Sequence, residues 1–189
     1  MKRLFLSLLI SACTLCMAQT NPMKFKGIPM EGTVESFVKK LEAKGCEYID
    51  LTNGEAVLKG DFSAFRDCYI FVMSASHKNE VHTVGVNMPE RETWEAVSID
   101  YFGLKTLLTQ KYGTPECTEE FEGEEPPTDF SKLFALLHDE CKYVSTYTCK
   151  GGTIVLSIKK GVNGTASVML VYVTDVNWDE FMKKMMDDL

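Results

Sequence analysis

Arginine is nearly missing from this chain: Arg3, Arg66 and Arg91 are all there is. The formal net charge is −7, and no stripe of lysines interrupts it. Nucleic-acid binders need clustered cations to displace phosphate counterions, so that class is excluded, and an anionic membrane surface is disfavoured on the same ground. No apolar run reaches the roughly 20 residues needed to span a bilayer. Beyond Ala18 there is no Cys-x-x-Cys pair, which removes zinc ribbons and thioredoxin-like sites. A phosphate-binding glycine loop, a Gly-x-Ser-x-Gly elbow and a His-Glu-x-x-His motif are all lacking, so no familiar catalytic motif gives an enzyme reading a start. No cofactor is implied.

What is present begins with an export signal. Lys2 and Arg3 form a charged start, residues 4–15 are almost wholly apolar, and Cys16-Met17-Ala18 precedes the expected mature start at Gln19. Residues 1–18 therefore read as a signal peptide, with a periplasmic or extracellular destination. Ile10-Ser11-Ala12-Cys13 offers an alternative, since it resembles a lipobox that would make Cys13 the lipidated N-terminus of an envelope protein. The rest is long enough for one sizeable domain or two small ones. Five cysteines remain: Cys46, Cys68, Cys117, Cys141 and Cys149. Export permits disulfides, but an odd number leaves at least one thiol unpaired or intermolecular, and the pairing stays open. Cys141 and Cys149 fall on one expected strand. If it is continuous it holds them more than about 20 Å apart, too far to bond.

The segment from Glu92 to Pro115 organises the chain. Trp94, Val97, Tyr101, Leu104, Leu108 and Tyr112 make one apolar stripe at helical period, Thr93 is the N-cap, and Gly113 with Pro115 ends the helix. An earlier helix opens at Thr33, buries Val34, Phe37, Val38 and Leu41, and stops at Gly45. Strands are expected at 46–51, 55–62, 68–75 and 81–88, with Thr52-Asn53-Gly54 as a tight turn. Residues 116–127, with six glutamates and two prolines, read as an acidic linker and lack the alternating ligands of a calcium loop. Thr128 or Asp129 caps a further helix with Phe130, Leu133, Phe134 and Leu137 inward. Strands follow at 141–149, 152–159 and 165–174, then a last helix from Asn177 with Trp178, Phe181, Met182, Met185 and Leu189 on its stripe.

The order helix, strands, Trp-led helix occurs twice, giving an α+β fold of two related helix/antiparallel-sheet units, 24–115 and 128–189. Gly45-Cys46-Glu47-Tyr48-Ile49 matches Glu140-Cys141-Lys142-Tyr143-Val144. One common spacing aligns Val84, Val86, Ile70, Val72 and Trp94 with Val168, Leu170, Ile154, Leu156 and Trp178. The two spacings differ by about one strand, so the second unit is expected to lack a counterpart of 55–62.

Candidate chemistry is sparse. His77, Glu80 and His82 flank a hairpin loop, but two histidines without a third ligand at matching spacing do not specify a metal site. His138 and Cys141 could be offered as a nucleophile pair, yet nothing around them supplies an oxyanion hole, and the placement of Cys141 suits core packing. The sheet is the better lead. Strand side chains alternate, so placing Ile70, Val72, Ile154, Leu156, Val168 and Leu170 under the helices leaves Tyr69, Phe71, Met73, Val155, Met169, Val171 and Val173 on the other face. That face is too apolar for solvent alone. It is either buried internally or a partner surface, and a homo-oligomer is one way to cover it.

The element order resembles that of tandem beta-lactamase-inhibitory-protein-like domains. By that resemblance the open sheet face, here Tyr69, Phe71, Met73, Met169, Val171 and Val173, would grip a protein partner. The signal, the opening KGIPMEGTVESFVKKLEAKG and the segment LKTLLTQKYGTP also resemble uncharacterised small secreted proteins of gut Bacteroidetes, which implies export and no activity. The expectation is an exported binding or inhibitory module. The alternatives are an envelope assembly protein and a hydrolase with an unrecognised site.

Overall fold

The computed structural model describes residues 22–52, 55–74 and 79–175. The expected signal segment, Asn53-Gly54, His77 and the helix expected from Asn177 lie outside the described residues.

The fold is mixed α+β. A small hairpin, β1 (Lys24–Phe25) and β2 (Ile28–Pro29), precedes α1 (Val34–Glu42). Four strands follow: β3 (Glu47–Thr52), β4 (Glu55–Phe62), β5 (Phe65–Ser74) and β6 (Val81–Asn87). Then come α2 (Trp94–Tyr112), β7 (Glu116–Phe121), α3 (Asp129–Leu137), β8 (Cys141–Cys149), β9 (Gly152–Lys160) and β10 (Ala166–Thr174). Eight of the strands form one sheet in the order β3-β4-β5-β6-β10-β9-β8-β7, and every neighbouring pair is antiparallel.

Each helix starts where a threonine can accept an orphan backbone N–H. Thr33, Thr93 and Thr128 take the N–H of Ser36, Ala96 and Ser131 at 3.3, 3.2 and 3.1 Å. Ser131 returns the bond to the Thr128 N–H, completing a capping box with serine at its fourth position. The α2 stripe is as expected, with Trp94, Val97, Tyr101, Leu104 and Leu108 buried and Gly113 ending the helix at φ +90°. α1 covers β3, β4 and β5, while α2 and α3 lie together over β8, β9 and β10. Ile70, Val72, Ile154, Leu156, Val168 and Leu170 are all buried beneath them, so the assignment of strand faces holds. Phe25 on β1 stacks on Phe62 of β4 and meets Tyr172 of β10 edge-on, a wedge touching both halves of the sheet.

Three expectations fail. Residues 116–121 are not linker but the edge strand β7, paired with β8 from Glu116↔Thr146 to Phe121↔Cys141. An edge strand tolerates glutamates because its outer side is not hydrogen-bonded, and charge there blocks further pairing. Its inward residues earn their burial: Phe121 packs on Trp94 and Tyr143, and Glu119 bonds Tyr101 and Lys105. The missing strand is therefore not missing. Each half of the sheet has four strands, but β7 holds the edge position matching β3 and reaches it before α3 rather than after. Cys46 accordingly precedes an edge strand, whereas Cys141 opens a strand one place in from the edge. The common spacing also slips: Ile70 pairs Val86, but Leu170 pairs Leu156 rather than Ile154, a shift of two that preserves which face is buried.

The third failure is on α3. Phe130 and Phe134 do not point inward; they are exposed, and Leu133, Ala135 and Leu136 carry the burial. Phe130, Phe134 and His138 recur every fourth residue and stack along the outer face instead, with the Phe134 and His138 rings 3.9 Å apart.

Candidate functional site

The open face of the sheet is built by the alternate residues of the same central strands. Cross-strand register places Val57, Phe71, Gly85, Val171, Val155 and Thr146 in one row from β4 to β8. On one side lies the row Tyr69, Asn87, Met169, Ser157 and Val144, and on the other the row Met73, Thr83, Val173 and Thr153. The sheet thus brings together all six residues expected to form the site, Tyr69, Phe71, Met73, Met169, Val171 and Val173, around the β6–β10 junction. Tyr69 is 46% exposed, and the other five are partly exposed.

Gly85 sits at the centre. A Cβ there would lie 3.5 Å from Met169 Cε and 3.8 Å from Phe71 Cβ, so these two side chains close over the glycine from opposite sides. Glycine in a strand interior gives up side-chain packing and marks a place where something approaches the backbone closely. Here the approach comes from the neighbours themselves. Ser167 donates to Asn87 Oδ1 at 2.8 Å, fixing one rim. Lys59 and Asp67 pair at 2.9 Å on another. The site is an apolar floor with a polar margin, which can dehydrate a partner's apolar groups.

The other candidates are dispersed. His138 Nδ1 lies 2.9 Å from the Phe134 carbonyl, and its ring is occupied by stacking. Burial pushes the Cys141 thiol up to about 11, the wrong direction for a thiolate nucleophile. Among the described residues no group of three or more His, Cys, Asp or Glu side chains is placed to hold a metal ion. A groove of about 220 Å³ runs between α1 and β3/β4, lined by Val34, Val38, Tyr48 and Ala56 with Glu35, Lys39 and Glu42 at its rim. It is smaller than the pockets that usually enclose a ligand.

Sequence reasoning missed one polar cluster on the helix side. Tyr101 OH donates to Glu119 Oε1 at 3.0 Å and lies 2.7 Å from Ser145 Oγ, and Lys105 pairs with Glu119 at 2.5 Å. Burial, first of all, raises the Tyr101 hydroxyl well above the ordinary tyrosine range. Tyr147 OH closes the cluster, donating to the Lys105 carbonyl at 3.0 Å. The signal was the Glu119/Phe121 alternation inside a stretch dominated by glutamate. The cluster satisfies buried polar groups between α2 and the sheet.

Compared with known proteins, the chain matches no family model, no curated protein and no solved structure.

Proposed function

We propose that this is an exported binding module that holds a protein partner against the open face of its sheet. One observation carries the reading: an apolar floor, centred on Phe71, Met169 and Val171, is left partly exposed on the side away from the helices. Contiguous apolar surface of this kind is a contact surface in most soluble proteins. The resemblance to tandem inhibitory domains supports the same face, and the leader supports export. An inhibitory role follows if the partner is an enzyme whose active-site rim the floor covers.

The experiment uses the mature protein as bait against envelope and culture-medium fractions, beside Phe71→Ala, Met169→Ala and, as a control, Phe130→Ala on the far side of the helices. A partner retained by wild type and Phe130→Ala but lost by both sheet variants supports the proposal. A partner held equally by all four proteins overturns it. A stable dimer in size exclusion that dissociates on Phe71→Ala assigns the floor to self-assembly instead. Mass spectrometry of the native N-terminus tests export separately: Gln19 marks secretion, a diacylated Cys13 marks a lipoprotein, and intact Met1 defeats both.

A further inference from the structure

We infer that residues 177–189 dock as a helix, antiparallel, along the outer face of α2. That face is apolar where a solvated one would be polar. Ile99 and Leu107 are 63% and 55% exposed, and Phe102 beside them is 43% exposed. With Trp94, Val97, Tyr101, Leu104 and Leu108 buried beneath, α2 is apolar on both sides. A helix that is apolar all round is one that is covered all round. Ile99, Gly103 and Leu107 recur every fourth residue and form one line along the helix. A Cβ at Gly103 would meet no atom within 4 Å among the described residues. The middle of the line is therefore a notch, and glycine at a helix–helix contact lets the two axes approach to the short end of the usual range of about 8–10 Å.

The chain leaves the sheet beside the end of α2. Thr174, the last residue of β10, pairs with Gly152, which pairs in turn with Cys149 at the end of β8. The Asp175 N–H donates to the Gly151 carbonyl at 3.2 Å. Tyr147, just before Cys149, has its hydroxyl 3.2 Å from Thr109 Oγ1 in the last turn of α2. The Cys149 thiol feels both Lys111 and Asp175. The way across the first half of the sheet, the counterpart of the course α2 takes over β8–β10, is already occupied. α1 covers β3, β4 and β5, and Phe25 of the hairpin fills the space between Phe62 and Tyr172.

The segment itself fits the line on α2. Trp178, Phe181, Met182, Met185 and Leu189 fall on one stripe at helical spacing. As a helix, 177–189 spans about 18 Å, the same length as α2 from Lys111 back to Ile99. Run antiparallel from Asp175, it sets Trp178 and Phe181 over Leu107, Met182 over the Gly103 notch, and Met185 and Leu189 over Ile99. Methionine, unbranched and flexible, suits an irregular notch. Asp179 and Glu180 then fall beside the exposed Lys111. The antiparallel order also puts the positive start of one helix dipole beside the negative end of the other. The open sheet face is the competing place, but its apolar residues are mostly less exposed than Ile99 and Leu107. The line on α2 also begins about one turn from Lys111, next to the exit. A segment docked there leaves the sheet face free for a partner.

The experiment places the photoreactive residue p-benzoylphenylalanine at Leu107, at Ile99 or, for comparison, at Val171 on the open face of the full chain. Leu107 and Ile99 are exposed, so neither replacement disturbs the core. After irradiation the monomer band is digested and its cross-linked peptides are mapped by mass spectrometry. The probe at Leu107 is expected to capture the stretch holding Trp178 and Phe181, the probe at Ile99 the stretch Met185–Leu189, and the probe at Val171 neither. Capture of 177–189 from Val171, the reverse order along α2, capture only between chains, or no capture from α2 overturns the inference. Hydrogen exchange gives a second reading without a probe. Amides 179–188 should exchange slowly in the wild type and at the free-peptide rate in Leu107→Asp, with β8–β10 unchanged. Free-peptide exchange in the wild type, or no change in Leu107→Asp, also overturns it. No partner enters either measurement, so a failure here is distinct from a failure of the sheet face to bind one.

Discussion

The two faces of the central sheet are made from the same strands and are nearly equal in apolar character, yet they are not equally covered. Ile70, Val72, Ile154 and Leu156 on one parity are buried to the last atom. Phe71, Met73 and Val155 on the other are their immediate neighbours in sequence and remain partly exposed. Hydrophobicity alone therefore does not distinguish core from surface here; coverage by α1, α2 and α3 does. A strand that is apolar at both parities is built to be dry on both sides. The helices supply one cover, and the open face is where a second would act.

Truncation should split the two faces most sharply. Ile70→Ala and Leu156→Ala remove methylene groups from a closed core, and each is expected to cost about 2–5 kcal/mol, read as a large fall in the denaturation midpoint. Phe71→Ala and Met169→Ala should leave the midpoint nearly where it was and abolish association with the partner. If the open-face pair destabilises as much as the covered pair, the two faces are both core and the binding proposal loses its surface. Gly85→Ala sharpens the comparison: the added methyl meets ordinary van der Waals contacts, so the fold should tolerate it while the shape of the floor changes.

The covered face was the readable one. Helical spacing from Trp94 to Leu108 and strand alternation around Ile70 and Leu170 report burial directly, because solvent enforces one period for each element. Edge elements lack that enforcement. β7 shows only half an alternation, since Thr118 and Glu120 face outward and Glu119 is satisfied by a lysine and a tyrosine that the chain brings from α2. The Glu119/Phe121 alternation in 116–121 marks a strand but does not name those two partners. α3 misled for a related reason: Phe130 and Phe134 have helical spacing, but so do Leu133 and Leu136, and which stripe turns inward is decided by how α3 lies on β8–β10. The site residues were legible as a set because parity is conserved through the sheet. Their closure over Gly85 was not, because it depends on pairing β6 with β10, strands that lie far apart in the chain.

The Tyr101 cluster should give a smaller, pH-marked effect on the covered side. Tyr101→Phe removes a donor to Glu119 and a partner of Ser145, expected to cost about 1–3 kcal/mol. Burial holds the Tyr101 and Tyr172 hydroxyls above the ordinary tyrosine range in the folded chain. The unfolded chain ionises first as pH rises past about 10. Their contribution is complete below that value and is lost as the pH climbs toward the folded one. Ultraviolet difference spectra during alkaline titration should show tyrosinate in two stages, exposed rings first and these two with unfolding. Tyr101→Phe should flatten the alkaline loss. An unchanged profile would mean that Tyr101 is not what the alkaline limb reports.

The smallest expected effect comes from the more exposed of two lysine–carboxylate pairs, one on each face. Lys105 and Glu119 are each about a quarter exposed at the side chain and share Glu119 with Tyr101. Glu119→Gln should cost about 1–3 kcal/mol and do so at any salt concentration. Lys59 and Asp67, at the margin of the open face, are far more solvated, with side chains 38% and 73% exposed. The hydrogen bond from Lys59, and then its charge, lower the Asp67 carboxyl. Its contribution is thus present above the ordinary carboxylate range and is lost as pH falls through the folded value. Solvent and salt screen such a pair almost completely. Asp67→Asn should therefore leave the melting temperature and the acid limb of the stability curve superimposed on wild type in low and high salt. If it instead destabilises as Glu119→Gln does, the margin of the open face is shielded from water in the free protein, and the difference between the two faces disappears where it was expected to be easiest to see.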